Sequence, residues 1–333
     1  MKKILTYGFL LLAALALAVL AYLYKEYKTF LQQPVFSDVP TTLEIKKGDT
    51  FTSFVKLVKN KGGRGSDLNW KLMAKFNHLE NSIKTGEFEI AQTMNPLQLV
   101  QYIADNNVKT YSITLIEGHS WKQIKQQLLG SELKHVLLDV TDEQLVSMLE
   151  IEPGYLEGQF LPETYQYVKG DLDIDILTRA HEALKATLQH AWKNRSPDIK
   201  LKSSYEMLIL ASIIEKETAQ NSERNIISGV FHRRLSQGIR LQTDPTVIYG
   251  VGDAYAGDIT SAHLRTDTPY NTYTRKGLPP TPIAMPSSAS IEAAGHPNDG
   301  NELYFVANNK GGHTFSDTYE EHEKAVAAYL KGL

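Results

Sequence analysis

The hydrophobic pattern begins with an uninterrupted apolar run. Residues 4–24 carry no charge and are mostly apolar, and they lie between Lys2-Lys3 and Lys25. A helix of this length can cross the hydrocarbon core of a bilayer, which is about 30 Å thick. We therefore predict a single transmembrane anchor over 4–24 after a cytoplasmic stub of residues 1–3, because lysines favour the cytoplasmic side.

A cleaved signal peptide is the alternative for this segment. Small residues between Ala14 and Ala18 are typical of cleavage sites. The apolar run continues past them and ends in Tyr22 and Tyr24, aromatic residues typical of a membrane interface, which favours an uncleaved anchor. Residues 25–40 are then interpreted as a juxtamembrane spacer, in which a proline interrupts any continuation of the helix.

The next segment, 41–110, switches between strand and helix patterns. Residues 42–45 alternate between apolar and polar positions, and 86–90 do so again. Between them, apolar positions recur at helical spacing in 50–58 and in 66–76. The pattern predicts a small strand-helix-helix-strand unit, for which a generic α+β module is the plainest interpretation.

A short motif suggests a more specific identity for this unit. Residues 45–50 read Ile-Lys-Lys-Gly-Asp-Thr. They resemble the opening of a LysM domain, a small βααβ fold that binds glycans containing N-acetylglucosamine. The resemblance implies a LysM-like glycan-binding module over 41–110, with the generic α+β module as the alternative.

The remaining chain, 111–333, is predicted to form a mixed α+β domain. Helical patterns occur at 121–129, 143–149 and 173–192. The loop 156–165 carries two carboxylates among aromatic residues and is interpreted as a structured turn. Residues 242–286 are rich in Thr, Pro, Gly, Tyr and Asn and show little helical periodicity. A long irregular stretch with this aromatic content indicates functional loops rather than disorder.

The clearest helix is predicted from Ser203 to Gln220. Ser203 and the glutamate three residues later fit a capping box, and neither glycine nor proline occurs in the rest of the segment. Its apolar positions form one stripe, made by Met207, Leu210, Ile213 and Ile214. Glu217 lies four and three residues beyond the two isoleucines and continues this stripe. Glu215 lies about 200° around the helix from Glu217 and is expected to face elsewhere.

Glu217 is therefore a candidate general acid. A carboxyl group that loses water at the end of an apolar face has its neutral form favoured and its pKa raised, which suits proton donation near neutral pH. Cleavage of a glycosidic bond needs such a group. The alternative is structural: Glu217 pairs with Arg224 or another cation, or marks where the helix reaches the surface.

Composition and motifs exclude several other classes. The net charge of −3 does not indicate a polyanion partner such as nucleic acid, and the absence of cysteine excludes disulfides, thiolate metal sites and cysteine nucleophiles. No GxSxG or HExxH motif is present, and the glycine-rich loop 60–66 lacks the Gly-Lys-Ser/Thr ending of a phosphate loop. Four histidines lack the spacing of metal ligands: His232, His263, His296 and His313. We expect neither a metal nor an organic cofactor.

Several longer motifs occur in and after the predicted Ser203 helix. They cover 211–218 (Ala-Ser-Ile-Ile-Glu-Lys-Glu-Thr), 222–224, 240–250, 270–273, 277–280, 282–284, 303–306 and 311–315. In sequence and order they closely resemble the endolytic murein transglycosylase family, also called YceG-like. The resemblance covers essentially the whole chain, including the anchor and the LysM-like unit.

The resemblance implies a lytic transglycosylase of the bacterial inner membrane, single-pass, with its catalytic body in the periplasm. Its substrate would be nascent peptidoglycan glycan strands, whose length it would help to set, with peptidoglycan synthases as candidate partners. The family's catalytic glutamate falls on Glu217. Protonated Glu217 would donate to the oxygen between N-acetylmuramic acid and N-acetylglucosamine, then take the proton of the muramic C6 hydroxyl as it attacks C1. A 1,6-anhydro end results from one carboxylate that serves both steps.

Residues around Glu217 are candidates to hold the sugars, because aromatic rings suit the apolar faces of sugars and amides can pair with acetamido groups. The candidates are Glu223, Gln242, Thr243, Asp244, Tyr270, Asn271 and Tyr273. For Asp244 and Asn271, organising a turn is the alternative role. Two other functions stay open: a hydrolytic muramidase with Asp244 as second carboxylate, and a non-catalytic glycan-binding scaffold of the cell-wall synthesis machinery.

Overall fold

The computed structural model describes residues 2–152 and 154–332, and side chains from residue 6 onward. Met1 of the predicted stub 1–3 and Leu333 at the end of the predicted domain 111–333 lie outside the described residues. The chain divides into two compact units, Met1–Tyr111 and Ser112–Leu333. Helices and strands occur in both units, so the predicted α+β class is confirmed.

The first element, α1 (Lys2–Gln32), is a continuous helix. Its segment Thr6–Gln32 is the one helix of the described chain that is long and apolar enough to cross a membrane. Large apolar side chains along this segment are exposed, from Tyr7 to Tyr24. The helix ends two residues before Pro34, as expected where proline removes a backbone donor.

The N-terminal unit continues with a strand-helix-helix-strand order. Strand β1 (Thr41–Ile45) pairs antiparallel with β2 (Gly86–Ile90), and Leu43 lies opposite Phe88. Helices α2 (Phe51–Asn60) and α3 (Asp67–Phe76) lie between the strands in sequence, and α4 (Pro96–Ala104) follows. This order agrees with the predicted unit, while its identity as a LysM-like module stays a prediction.

One apolar core holds this unit together. It includes Phe54, Trp70 and Phe88, which are fully buried. The segment 25–40, interpreted from sequence as a spacer, contributes Phe30, Val35 and Phe36 to the same core. Aromatic side chains of this size each remove a large apolar area from water, so the end of α1 is an integral part of the unit.

The C-terminal unit is built around helices, with two small pairs of strands. Strand β3 (Thr110–Thr114) spans the division between the units and pairs with β4 (Thr164–Val168). Strands β5 (Tyr304–Ala307) and β6 (His313–Ser316) form an antiparallel hairpin. The helices are α5 (Trp121–Leu129), α6 (Asp142–Met148), α7 (Asp173–Asn194), α8 (Ser204–Glu217), α9 (Asn221–Ser236), α10 (Asp244–Val251), α11 (Ser261–Arg265), α12 (Ser288–Gly295) and α13 (Tyr319–Lys331).

Helix α8 is the central helix of this unit. Ser203 caps it by accepting a hydrogen bond from the backbone N–H of Glu206, as predicted. The side chains from Met207 to Ile214 are all buried, so the apolar face is wider than the predicted stripe. Such a helix is surrounded by other elements, here α7, α9 and α12. It ends at Glu217 rather than Gln220, because Thr218 adopts an extended conformation.

Two segments that the sequence predicts to be loops contain ordered features. Within 242–286, predicted to be irregular, α10 and α11 form; helices this short are too brief to display a 3.6-residue repeat. The loop 156–165 is a structured turn, as interpreted. Its Glu157 is buried and accepts hydrogen bonds from the Trp121 backbone N–H (3.0 Å) and the Tyr249 hydroxyl (3.1 Å).

Candidate active site around Glu217

Glu217 is the last residue of α8, and its half-buried side chain lines a cleft. The buried Thr243 hydroxyl donates a hydrogen bond to Glu217 Oε1. Thr243 is itself fixed by its backbone N–H, which donates to Thr272 Oγ1 at 3.1 Å. The preceding Gln242 has a φ of 54°, a conformation that is uncommon outside glycine and is often retained at functional sites. The Thr243 contact therefore depends on a strained turn.

The surroundings of Glu217 favour its neutral form. Burial raises the pKa of Glu217 to about 7, although the Thr243 hydrogen bond and the positive charge of His313 act in the opposite direction. The nearby Asp244 carboxylate raises the pKa further. The position at the helix C-terminus acts in the same sense, since the partial negative charge there disfavours a carboxylate. The group can thus donate a proton near neutral pH.

Two grooves meet at Glu217. The first, which we call the acidic groove, has a volume of 670 Å³ and is lined by Glu117, Glu163 and Lys216, among others. The second, which we call the basic groove, has a volume of 440 Å³ and is lined by Arg234, His313 and His322 together with aromatic side chains. Glu217 lines both grooves, so an extended molecule lying across the cleft would pass the carboxyl group.

Glu215 occupies a different environment two residues earlier. Its side chain is 6% exposed and its Oε2 accepts hydrogen bonds from the Ser287 N–H (2.9 Å) and the Ser290 hydroxyl (2.7 Å). Arg224 contacts Glu215 Oε1 at 3.4 Å. Arg224, which the sequence analysis considered as a partner of Glu217, therefore pairs with Glu215. The two glutamates therefore have different hydrogen-bond partners, although both line the acidic groove.

Glu223 and His313 form a buried pair next to the basic groove. Glu223 Oε2 lies 2.8 Å from His313 Nδ1, and Glu223 Oε1 accepts the His313 backbone N–H at 2.7 Å. Thr218, the residue after Glu217, donates its hydroxyl to the same carboxylate at 3.0 Å. Burial alone would raise the pKa of Glu223, but the hydrogen bonds from His313 and Thr218 outweigh it and lower the pKa.

Sequence reasoning missed His313 as a member of the site. The available signal was the run Gly311-Gly312-His313, which belongs to one of the quoted motifs. A Cβ atom on Gly312 would lie 2.5 Å from Glu223 Oε1, so glycine is needed for this close approach. His313 lies far from Glu217 in sequence, and only the β5-β6 hairpin brings it to the groove that Glu217 lines.

The other predicted residues fall into two groups. Gln242, Thr243, Asp244 and Tyr273 line the basic groove with Glu217, and the Tyr273 hydroxyl donates to Asp244 Oδ1 at 2.6 Å. Burial raises the pKa of Tyr273, so this hydroxyl keeps its proton.

Tyr270 and Asn271 instead hold the surrounding loop. The Asn271 amide is buried and donates to the backbone carbonyls of His263, Leu264 and Thr266. The Tyr270 hydroxyl lies 2.8 Å from Thr281 Oγ1. The turn-organising role that sequence left open for Asn271 accounts for these hydrogen bonds. Within the described ranges, no group of three or more His, Asp or Glu side chains could hold a metal ion.

A carboxyl group of raised pKa where two grooves meet is typical of an active site. Residues 43–328 match the family model of the YceG-like family, and the chain belongs to this family. The resemblance found in the sequence motifs is therefore confirmed.

Named relatives and a solved structure agree with this assignment. The chain is 29% identical over 325 residues to an endolytic murein transglycosylase of Bacillus subtilis (strain 168), covering 91% of this chain and 89% of that protein. It is 27% identical to an endolytic murein transglycosylase of Streptococcus pneumoniae serotype 2, covering 87% of this chain and 58% of the relative. A crystal structure of a YceG-like protein from Listeria monocytogenes matches with a TM-score of 0.55 and 27% identity, over 85% of this chain and 98% of that one.

Proposed function

We propose that this protein is a membrane-anchored endolytic lytic transglycosylase that cleaves peptidoglycan glycan strands, with Glu217 as its acid/base catalyst. The observation that carries the proposal is the Glu217 carboxyl group, which has a pKa of about 7 and lies where the two grooves meet. The names of the relatives from Bacillus subtilis and Streptococcus pneumoniae support the same activity.

One carboxyl group is sufficient for the proposed reaction. Protonated Glu217 donates to the glycosidic oxygen between N-acetylmuramic acid and N-acetylglucosamine as the C1–O bond breaks. The carboxylate then accepts the proton of the muramic C6 hydroxyl, whose oxygen forms the new bond to C1. The products are a 1,6-anhydro-muramic end and a free N-acetylglucosamine hydroxyl, and no water is consumed. Thr243 fixes the carboxyl group for both proton transfers.

The grooves support cleavage within a strand rather than at its end. Sugars on both sides of the cut bond need space, and Glu217 lines two grooves. Gln242, Asp244 and Tyr273 are placed to contact sugars in the basic groove. Glu223 would act through His313, which it orients, and Tyr270 and Asn271 would maintain the loop that carries Tyr273.

The remaining features concern location and partners. The apolar run 4–24 of helix α1 would anchor the chain in the bacterial inner membrane, with the catalytic body in the periplasm. The unit over 41–110 would act as a LysM-like module that binds glycan. Cleavage of nascent strands beside peptidoglycan synthases would help to set strand length.

The test is the chemistry of the new ends. Detergent-solubilised full-length protein is incubated with uncrosslinked glycan strands, and the masses of the products are measured by mass spectrometry. Internal fragments with 1,6-anhydro ends are expected. Ends heavier by one water would instead assign a hydrolytic muramidase, for which Asp244 is the first candidate second carboxylate. Uncut strands would leave a glycan-binding scaffold as the function.

The cleavage rate is expected to fall on the alkaline side of the pH profile only, in one titration step that we call the alkaline limb. Only protonated Glu217 can start the reaction, so the rate at saturating glycan should be level below pH 7 and fall about tenfold per pH unit well above it. A two-carboxylate hydrolase would give a bell-shaped profile instead. Initial rates of strand cleavage across pH 5–9 measure this dependence.

Two variants assign the limb to Glu217. His313→Gln removes a positive charge that lowers the pKa of Glu217, so the limb should move to higher pH. Glu157 is a second carboxyl group whose pKa burial raises to about 7, but it lies among Trp121 and Tyr249. Glu157→Gln should leave the limb in place. A limb that disappears in Glu157→Gln and stays fixed in His313→Gln would contradict the assignment.

A further inference from the structure

A second cavity lies in the N-terminal unit, beside the end of α1. It has a volume of 380 Å³, and its lining includes Tyr22 and Lys25 of α1, Arg64 of the glycine-rich loop, and Ser66 and Asn69 at the start of α3. The proposed glycan chemistry does not use it, and no motif of the active site contributes to it.

The lining has the charge and backbone arrangement of an anion site. Lys25 and Arg64 contribute two positive charges, against one negative charge from Glu26. Ser66 is the N-cap of α3, so the partial positive end of this helix faces the same space. The glycine-rich loop 60–66 lacks the ending of a nucleotide-binding phosphate loop, yet it precedes a helix in the same way.

A buried side chain without a partner points to a ligand. Asn69 is 8% exposed and lines the cavity, and its side-chain amide forms no hydrogen bond with any described residue. Its backbone N–H, in contrast, donates to Ser66 Oγ at 3.2 Å. The amide lines the cavity, so its hydrogen-bonding atoms are accessible to a ligand bound there. An acceptor oxygen in the cavity would provide a hydrogen-bond partner.

The cavity is formed before any ligand binds. Gly65 has a φ of 107°, and a Cβ atom there would lie 2.3 Å from the Phe30 ring and 2.8 Å from Trp70 Nε1. The Trp70 indole N–H also donates to the Arg64 carbonyl at 3.1 Å. The loop is therefore packed tightly onto α1, which fixes the Arg64 backbone at the cavity that Lys25 also lines.

Its position along α1 identifies the class of ligand. The exposed apolar side chains of α1 extend to Tyr24, and charged residues begin at Lys25. Tyrosines at such a boundary lie at the level of lipid headgroups. Given the proposed membrane anchoring, we propose that this cavity binds the phosphate of an anionic lipid headgroup, with Arg64, Lys25, Asn69 and the α3 N-terminus as its ligands.

The experiment measures lipid retained by the full-length protein. The chain is reconstituted in nanodiscs of phosphatidylcholine alone or with phosphatidylglycerol, and bound lipid is counted by native mass spectrometry. One retained phosphatidylglycerol is expected for the parent. Arg64→Ala should lower its affinity about fivefold, the effect of one cation at a membrane surface. Asn69→Asp, which keeps the shape but adds a negative charge, should abolish retention.

A matched control and a competing anion complete the test. Lys61→Ala removes an exposed cation of the same loop that does not line the cavity, and it should retain lipid like the parent. Displacement of phosphatidylglycerol by inorganic phosphate would support the shared phosphate chemistry. Phosphate binding without any preference for phosphatidylglycerol would assign a free-anion site and overturn the lipid proposal, as would equal retention in all variants. Thermal unfolding followed by circular dichroism should be unchanged in all three variants and reports that they are folded.

Discussion

Glu217→Gln is expected to lower the rate of glycan cleavage by about 10²- to 10⁴-fold, the usual contribution of a general acid/base. Glutamine has the size of glutamic acid but neither donates a proton to the glycosidic oxygen nor accepts one from the C6 hydroxyl. Both proposed steps therefore lose their catalyst. The measurement is the single-turnover rate of strand cleavage at pH 6, where most of the parent carboxyl group is protonated.

The same substitution should not destabilise the fold. The pKa of Glu217 is raised from 4.5 to about 7, so the folded protein holds a proton that the unfolded chain releases in this range. Stability of the parent therefore falls as pH rises from about 4.5 to 7, and the loss is complete above 7. Glutamine stays neutral and avoids this loss. Melting temperatures of Glu217→Gln should match the parent near pH 4 and exceed it at pH 8.

Glu163→Gln is the matched control for the loss of activity. Glu163 is an exposed carboxylate that lines the acidic groove, as Glu217 does, but belongs to the turn before β4. Its replacement likewise changes a carboxyl group of the same groove to an amide and should leave most of the cleavage rate. Equal rates for Glu163→Gln and Glu217→Gln, or a Glu217→Gln variant as active as the parent, would remove Glu217 from the acid/base role.

The position of Glu217 was predictable because it depends on local geometry. Helical spacing alone relates Glu217 to Ile213 and Ile214 and gives Glu215 a different direction, and in the structure the two carboxyl groups have different hydrogen-bond partners. Residue spacing could not show where the helix ends. Thr218 leaves the helix to donate to Glu223, and this contact depends on a carboxylate that His313 holds in place.

Contacts between distant segments were not predictable from one sequence. The Thr243 hydroxyl reaches Glu217 because Thr272, on another loop, fixes the Thr243 backbone. His313 enters through the β5-β6 hairpin, whose pairing has no local signature strong enough to place it beside α8. The segment 25–40 was interpreted as a spacer because a proline interrupts the helix there, yet Phe30 and Phe36 are buried in a core completed by residues far along the chain.

Glu215→Ala is expected to destabilise the fold by about 3–5 kcal/mol, the usual cost of removing one partner of a buried ion pair. Arg224 is 6% exposed and would keep its charge without the carboxylate it contacts. Ser287 and Ser290, at the start of α12, would also lose their acceptor. Urea unfolding at pH 7, followed by circular dichroism, measures the change in the free energy of unfolding.

A double substitution separates the buried charge from the lost hydrogen bonds. Glu215→Ala with Arg224→Ala removes the uncompensated cation, so the double variant should be more stable than Glu215→Ala alone. Glu292→Ala removes an exposed carboxylate from α12 and should change stability little, because surface ion pairs contribute little. If Glu215→Ala unfolded like the parent yet lost cleavage, Glu215 would belong to the catalytic group. We expect the opposite pattern: Glu215→Ala lowers the stability of the fold, and Glu217→Gln lowers the cleavage rate. This result would assign separate roles to two carboxyl groups that lie two residues apart on one helix.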